Sequence, residues 1–267
     1  VTKINSSLDY IEGGNDLPSQ NTGYMARMQV GHPVGYFYGY KTEGVIQNAA
    51  DLQKYIDENC GGKAANSLQG TGLKPGDLKF VDTNHDGKID LTDKTDLGNP
   101  LPDVTMGFGL NFGYKGFDLS ATAYAALGQQ VARSWRKFSD SQYDNYTTEV
   151  YQYWDGEGTS NKYPMIAPGN SGINWQAVSD IYIENASYLR MQNITLGYDF
   201  KRLWKACPFG QLRLYVTAQN LFTITGYKGM DPENGMALNS AEPWVTGVDV
   251  GNYPQPRTYL VGVNIKF

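Results

Sequence analysis

The last ten residues of the chain alternate between apolar and polar side chains with a period of two. The apolar set, which would share one face of a strand, consists of Tyr259, Val261, Val263, Ile265 and Phe267. Gly262, Asn264 and Lys266 alternate with them, and Leu260 is the single apolar exception. The pattern predicts a β-strand with one apolar and one polar face. Its aromatic end suits the last strand of a membrane barrel, because aromatic side chains favour the membrane–water boundary.

Residues 105–124 carry the same alternation on both sides of Lys115-Gly116 and predict a tight β-hairpin. The large apolar positions are Met106, Phe108, Leu110, Phe112, Tyr114, Phe117, Leu119, Ala121 and Ala123. The positions between them are mostly glycines and small polar residues. Such residues would make a poor protein core but suit a wet interior, whereas the large apolar set suits lipid.

A second hairpin is predicted for residues 193–218, with its turn at 201–210. Leu189 and Met191 are out of phase with the apolar residues that follow, so we expect a β-bulge near Gln192. Arg213 falls on the polar face, which is tolerable only if that face is wet. With the strand at about 256–267, the sequence predicts five complete strands.

The connections between these strands alternate strictly between short and long. The short ones are 115–116 and 201–210, and the long ones are about 129–186, 226–255 and 7–104. Outer-membrane barrels alternate short periplasmic turns with long extracellular loops in this way. We therefore predict an all-β fold, an antiparallel transmembrane β-barrel segment with its C-terminus on the periplasmic side. Residues 1–104 would hold the end of a barrel strand and a long extracellular loop, and residues 105–267 five C-terminal strands with two long extracellular loops.

Five strands cannot close a barrel. An open sheet edge in lipid leaves backbone N–H and C=O groups without partners, which costs several kcal/mol for each group. The missing strands and any plug are therefore expected from the rest of the same polypeptide, intact or nicked, or from other chains. The start at Val1, without an initiator methionine, also predicts a C-terminal piece of something longer.

Charge and hydropathy exclude two other classes. The formal net charge of −5 and the pI of about 5.1 argue against a nucleic-acid-binding protein, which would carry a basic surface. Mean hydropathy is −0.47 and no run of about eighteen apolar residues occurs, so no transmembrane helix is predicted. Barrel strands alternate between lipid and lumen, so these values do not exclude the membrane.

The long first loop has predicted structure of its own. Residues 49–59 place Leu52, Tyr55 and Ile56 on one helical face before a glycine pair, which predicts a short helix. Residues 36–40 and 78–81 are expected to form short strands.

The acidic segment from Asp82 to Asp93 has the spacing of an EF-hand calcium loop. The candidate ligands, at positions 1, 3, 5, 7, 9 and 12 of such a loop, are Asp82, Asn84, Asp86, Lys88, Asp90 and Asp93. Lys88 would contribute only its backbone carbonyl, and Gly87 would permit the sharp turn. Asp93 stands where an EF-hand has glutamate and has a shorter reach. We expect a structural Ca²⁺ site, since four carboxylates within twelve residues would otherwise repel one another. The alternative is an ordinary turn rich in Asp, Asn and Gly.

The sequence lacks the motifs of the common enzyme classes. No nucleophile elbow, phosphate-binding loop or His/Cys cluster with zinc spacing is present, so no catalytic role is expected. Several aromatic residues fall in the predicted loops: Trp135, Tyr151, Tyr153, Trp154, Trp175 and Trp244. They would either stack on sugar rings or a partner protein, or pack the cores of the loops themselves.

Segments along the chain resemble, in order, the motifs of SusC/RagA-type TonB-dependent outer-membrane transporters. In the first half these are GHPVGYFYGY (31–40), EGVI (43–46), PGDLKF (75–80), the acidic segment and GNPLP (98–102). In the second half they are YW (153–154), KYP (162–164), SYLRMQNITLGY (187–198), QNLF (219–222), Gly229 with DPE (231–233), and YPQPR (253–257). The resemblance covers nearly the whole chain.

This resemblance implies an importer in the outer membrane of a Gram-negative bacterium. Its barrel would have about 22 strands surrounding a plug domain. It would work with a SusD-like surface lipoprotein, draw energy through TonB by way of an N-terminal part absent from these residues, and take up oligosaccharides or peptides. The present residues would supply a sector of barrel wall in contact with outer-membrane lipid.

Two other classes of protein are alternatives to an importer. One is a secreted calcium-binding β-protein, such as an adhesin or a carbohydrate-binding module. A sandwich of that kind would bury the apolar faces against a second sheet, but the opposite faces are too polar and glycine-rich for a buried layer. The other is an enzyme such as a glycosidase, which the lack of a catalytic constellation disfavours.

Overall fold

The computed structural model describes residues 1–11, 16–18, 25–134, 147–166, 173–234 and 242–267. The strands are β1 (Thr2–Lys3), β2 (Asp16–Pro18), β3 (Ala26–Gln29), β4 (Tyr36–Gly39), β5 (Thr42–Val45), β6 (Leu78–Phe80), β7 (Thr95–Gly98), β8 (Val104–Tyr114), β9 (Phe117–Leu127), β10 (Gln130–Arg133), β11 (Ile183–Asn185), β12 (Tyr188–Asp199), β13 (Gln211–Gln219), β14 (Thr223–Thr225), β15 (Val248–Asp249) and β16 (Thr258–Lys266). The helices are α1 (Ala49–Asn59) and α2 (Ile173–Gln176), with 3₁₀ turns at Ala64–Asn66, Gly70–Gly72, Leu91–Asp93, Thr148–Gln152, Asp180–Tyr182 and Phe200–Arg202.

One sheet contains all five strands that the alternation predicts. Its order is β1-β8-β9-β12-β13-β16, with β14 beside the upper part of β12, and every pairing is antiparallel. β1 contributes only two residues, opposite Val104 and Thr105. The all-β fold class is therefore confirmed.

The turn and the bulge follow from local chemistry. Lys115 and Gly116 both have positive φ, 47° and 94°, which is the backbone of a type I′ hairpin turn and explains the glycine. The register of β12 against β9 shifts between Met191 and Asn193, so the bulge expected near Gln192 is confirmed. The bulge restores a single apolar face along the whole of β12 despite the phase change in the sequence.

The register aligns the side chains in rows that cross all five long strands. One apolar row contains Phe112, Leu119, Leu196, Val216 and Val261. The neighbouring polar row contains Gly113, Asp118, Gly197, Tyr215 and Gly262. Since a shift by one residue would exchange the two faces, this agreement between strands fixes the register.

The long connections pack into one loop cluster around a shared hydrophobic core. Its buried members come from three distant stretches of chain and include Phe37, Val45, Ile46, Leu78, Phe80, Tyr153, Trp175, Tyr182, Val245 and Val248. Helix α1 has the bounds expected from the sequence, with Asn48 as its N-cap and with Tyr55 and Ile56 buried in this core. The strands expected near 36–40 and 78–81 are present as β4 and β6.

The long connections also contain structure that the sequence did not indicate. β11, β10 and β15 form a three-stranded sheet within segments expected to be loop, with β10 and β15 parallel. β9 continues to Leu127, three residues beyond the expected end. Strands of two to four residues are too short to show a period and depend on distant partners, which explains why they were missed.

Candidate functional site

The apolar face of the large sheet has no protein layer against it in the described residues. Phe108, Phe112, Leu214 and Val263 are 49%, 58%, 38% and 53% exposed. Soluble monomers rarely leave a contiguous apolar surface across five strands open to water. This face has the composition and exposure expected for contact with lipid hydrocarbon.

The opposite face is polar and is organised by side-chain pairs between strands. Arg213 on β13 donates from Nε to Asp118 Oδ1 on β9 at 2.8 Å, and Thr195 and Thr217 share a hydrogen bond of 2.8 Å. The Arg213–Asp118 pair reaches across β12 at Gly197, where a Cβ would lie 2.5 Å from the Asp118 oxygen. Glycine at this row therefore makes room for an ion pair that requires a wet surface.

The loop aromatics mostly pack the core of the loop cluster. Tyr153 and Trp175 are buried with ring centroids 5.0 Å apart, and Trp154 and Trp244 pack partly buried against the same core. Tyr151, in contrast, is 88% exposed. Trp135 lies outside the described residues. Of the five candidate loop aromatics that the structure describes, only Tyr151 is thus largely exposed and open for stacking on a ligand or partner.

A buried arginine ties the third long connection to the sheet. Arg190 on β12 bonds through Nη1 to Glu233 Oε2 at 2.6 Å and through Nη2 to Asp231 Oδ1 at 2.5 Å. The second oxygen of Asp231 accepts from the backbone N–H of Gln255 at 3.0 Å. The DPE segment therefore fixes both ends of this connection against the polar face of β12.

Two cavities lie between the polar face and the loop cluster. One, of about 370 Å³, adjoins Arg190, Thr223, Asp231 and Arg257. The other, of about 400 Å³, lies beneath Pro100 and Pro232 and is bounded by Tyr124 and Gln192. Both fall in the size range of ligand sites, and both lie where the polar face meets the loops.

A second buried arginine was not foreseen from the sequence. Arg133 on β10 forms a two-pronged pair with Glu149, at 2.9 and 3.0 Å, and contacts Glu184 of β11 at 2.6 Å. The neighbouring Asp249 accepts a 2.6 Å hydrogen bond from Tyr227, and burial, together with this contact, raises the pKa of the phenol. These partners are 16 to 116 residues apart in sequence, and no local signal connects them.

The acidic segment folds as a tight loop closed by its own backbone. Asp82 Oδ2 accepts from the N–H of Gly87 at 2.7 Å, and the N–H of Asp86 lies 3.3 Å from Asp82 Oδ1 and 2.9 Å from Asn84 Oδ1. Gly87 has a φ of 80°, so the sharp turn expected there is present. Side-chain oxygens from the first and third positions therefore converge on a single amide.

The second half of the loop is anchored by Asp93. Its buried carboxylate accepts from the N–H of Thr83 at 2.9 Å through Oδ1 and from the N–H of Asp90 at 2.8 Å through Oδ2. Asp90 in turn caps the 3₁₀ turn at Leu91–Asp93, and its hydrogen bonds to Thr92 lower its pKa. Among the described residues, no three His, Cys, Asp or Glu side chains form a group that could hold a metal ion.

Lys79 on β6 and Asp51 on α1 form an ion pair at 2.6 Å that joins the helix to the core of the loop cluster. Burial raises the pKa of Asp51, but the hydrogen bonds from Lys79 and from the Gln47 N–H outweigh it and lower the pKa below the usual value. A carboxyl whose folded pKa is lowered stabilises the fold above its unfolded pKa and loses that contribution as pH falls through the folded value.

We therefore expect Asp51→Asn to destabilise the loop cluster by about 1 kcal/mol at neutral pH and to have little effect well below pH ~4. Amide hydrogen exchange of residues 49–59 at pH 7 and pH 3 measures the difference. Asp57→Asn, on the exposed side of the same helix, serves as the control. If Asp51→Asn changes the exchange rates of residues 49–59 by the same factor at pH 7 and at pH 3, this assignment is contradicted.

No helix in the described part of the chain is long and apolar enough to cross a bilayer.

The sequence is similar to TonB-dependent receptors along most of its length. It is 32% identical over 277 aligned residues to the TonB-dependent receptor SusC of Bacteroides thetaiotaomicron, and the match covers 100% of this chain and 23% of SusC. It is 31% identical to a TonB-dependent receptor of Formosa agariphila, covering 90% of this chain and 23% of that receptor. The chain thus spans about a quarter of the length of these relatives. The sequence matches no protein-family model.

The fold has close counterparts among solved structures. The RagAB peptide transporter superposes with a TM-score of 0.67 at 21% identity, over 97% of this chain and 25% of that chain. The RagAB peptide importer in its open-open state gives a TM-score of 0.65 at 22% identity, with the same coverage. At this level of identity the superposition establishes the fold.

Proposed function

This chain belongs to the SusC/RagA-type TonB-dependent outer-membrane transporters, of which it spans about a quarter, and we propose that it forms one sector of the wall and loop cluster of a nutrient importer. The main support for this proposal is the large sheet. Its apolar face is uncovered across five paired strands, and its other face is polar. Long connections at one end fold into a cluster, and short turns occupy the other end.

The arrangement gives each part a role in import. The apolar face would contact lipid, and the polar face would line the lumen or meet a plug supplied by the rest of the barrel. The loop cluster would lie on the extracellular side, with the two recesses at its base facing the lumen. The edge of β8 beyond its two-residue pairing with β1, and the edge of β16, would pair with further strands, because unpaired edges are not stable in hydrocarbon.

The partner and the substrate class are proposed by extension from the relatives. SusC is named as a TonB-dependent receptor, and RagAB as a peptide transporter. We extend this to a SusD-like surface lipoprotein over the loop cluster, to energy supplied through TonB, and to oligosaccharides or peptides as substrates. A secreted calcium-binding protein is a weaker alternative, because it would have to keep the whole apolar face in water.

Two measurements test this function. Extraction in mild detergent should recover the protein in a particle larger than the chain alone. This particle should contain the remaining barrel and a SusD-like lipoprotein. Deletion of the gene should abolish growth on oligosaccharides or on peptides as sole nutrient, and the class that is lost identifies the substrate. Unchanged growth on both classes, together with recovery of the 267-residue chain alone from a soluble fraction, would refute the importer.

We also propose that the acidic loop binds a structural calcium ion. Its oxygen donors have the types and order that Ca²⁺ requires, and Gly87 and the buried Asp82 place the backbone of the loop in a tight turn. The ion would be held by side chains of Asp82, Asn84, Asp86, Asp90 and Asp93 and by the Lys88 carbonyl. Binding would have to draw these carboxylates together, because in the described residues no three of them are grouped closely enough to hold a metal. It would neutralise four carboxylates that otherwise accept hydrogen bonds mainly from backbone N–H groups, with the Thr92 hydroxyl as a further donor to Asp90.

Calorimetry with millimolar Ca²⁺ on the folded protein should show a saturable heat that Asp86→Ala removes. Asp96→Ala, which changes an acidic residue outside the loop, should leave the heat unchanged. Absence of saturable binding in the parent protein would show that the segment is a turn closed by its own hydrogen bonds.

A further inference from the structure

The end of the sheet that carries the short turns has a charge opposite to that of the whole chain. We define this short-turn rim as residues 114–117, 199–211 and 264–267. It contains five basic residues and one acid: Lys115, Lys201, Arg202, Lys205, Lys266 and Asp199. The single acid already caps the turn by accepting from the Lys201 N–H at 3.0 Å. The chain as a whole carries −5, so this concentration of positive charge is local.

The two turns form one continuous surface. The side chain of Arg202 packs over Gly116 of the neighbouring hairpin, where a Cβ would lie 2.9 Å from its Cδ. Lys201 donates from Nζ to the Gly210 carbonyl at 2.9 Å, which holds that ammonium at the turn. Arg202 and Lys205 are exposed and form no ion pair with any described residue.

Aromatic side chains lie directly beside these charges on the apolar face. Phe117 and Tyr198 pack with ring centroids 4.4 Å apart, and Tyr114 lies in the same row. Leu203 and Trp204 project from the turn and are 72% and 50% exposed. Amphipathic aromatic rings mark the depth of the headgroups in a bilayer, so the basic side chains stand at the level of lipid phosphates.

We propose that the short-turn rim binds the headgroups of anionic phospholipids in the periplasmic leaflet, with Lys201, Arg202 and Lys205 as the main contacts. Basic residues next to a bilayer surface attract anionic lipids, and guanidinium groups pair with phosphate through two N–H donors. Because the rim carries a formal charge of +4 and the chain −5, the remaining residues together carry −9. This inference rests on the proposed membrane location but not on any substrate.

The test compares lipid retained by the detergent-extracted barrel after equilibration with mixed phosphatidylethanolamine and phosphatidylglycerol. Bound lipid is quantified by mass spectrometry for the parent protein and for Lys201→Gln/Arg202→Gln/Lys205→Gln. The matched control, Lys41→Gln/Lys63→Gln/Lys74→Gln, removes the same number of exposed charges from the loop cluster. Heat-modifiable migration on gels reports for each variant whether the barrel is folded.

The parent protein and the control should retain phosphatidylglycerol in excess of its share of the mixture. In the rim variant this excess should be at least fivefold smaller. Equal retention by all three folded barrels would overturn the inference while leaving the importer intact. If the parent protein shows no heat-modifiable barrel, both the inference and the membrane location are refuted.

Discussion

Leu110→Arg is expected to destabilise the membrane-embedded protein by about 2–4 kcal/mol, whereas Asn111→Arg, one residue further, should change its stability little. Leu110 lies on the apolar face near the middle of β8, and its side chain is exposed in the structure. If hydrocarbon covers this face, the arginine must be taken out of water. Asn111 points to the polar face opposite Ser120, where water can solvate a charge.

Reversible unfolding in lipid vesicles with guanidinium chloride measures both variants. The comparison is sharp because the two residues are neighbours on one strand, so strand propensity and position in the chain are matched. In a water-soluble protein, an exposed Leu→Arg change would usually stay within about 0.5 kcal/mol. Equal and small effects at both positions would therefore place the apolar face in water.

Arg133→Met should destabilise the loop cluster by about 3–5 kcal/mol. Removing the arginine leaves the carboxylates of its two glutamate partners largely buried and without a counter-charge. The side chain of Arg133 is 1% exposed, and those of Glu149 and Glu184 are 16% and 10% exposed. Their residues belong to β10, β11 and the 3₁₀ turn at 148–152, so the arginine joins three segments of the cluster.

Hydrogen exchange of residues 147–153 and 183–185 should therefore accelerate in Arg133→Met, while exchange in β13 and β16 stays slow. Arg27→Met removes a more exposed pair with Asp16 and should cost under about 1 kcal/mol. Adding Glu149→Leu and Glu184→Leu to Arg133→Met should restore much of the protection, because no unpaired glutamate then remains. Unchanged exchange in the single variant would show that the arginine does not hold these segments together.

The parts of the fold that could be predicted from the sequence are those in which neighbouring residues along the chain are enough to determine the structure. β8 and β9 alternate between apolar and small or polar residues from Met106 to Ala123, because one face meets an apolar and the other a polar environment over that stretch. Helix α1 carries its own cap at Asn48 and its own buried stripe, so its bounds are also local. The bulge at Gln192 could be inferred because the apolar phase changes there.

The rest depends on contacts that the sequence does not show. β10 pairs with β11 and β15, which lie more than fifty residues away, and none of these strands is long enough to show a period. In the candidate site, the order of oxygen donors from Asp82 to Asp93 could be read directly. The pairing of Arg190 with Asp231 and Glu233 could not, because nothing in a sequence says which of many acids a buried arginine meets.

The most direct test of the membrane assignment is a spin-label scan of residues 106–114 in the protein reconstituted in lipid, with Cys60 and Cys207 replaced by alanine. Labels at 106, 108, 110, 112 and 114 should be accessible to oxygen dissolved in hydrocarbon and shielded from a water-soluble nickel complex. Labels at 107, 109, 111 and 113 should be less accessible to oxygen, so that accessibility alternates along β8. Uniform access of the nickel complex to both sets would contradict the barrel-wall account.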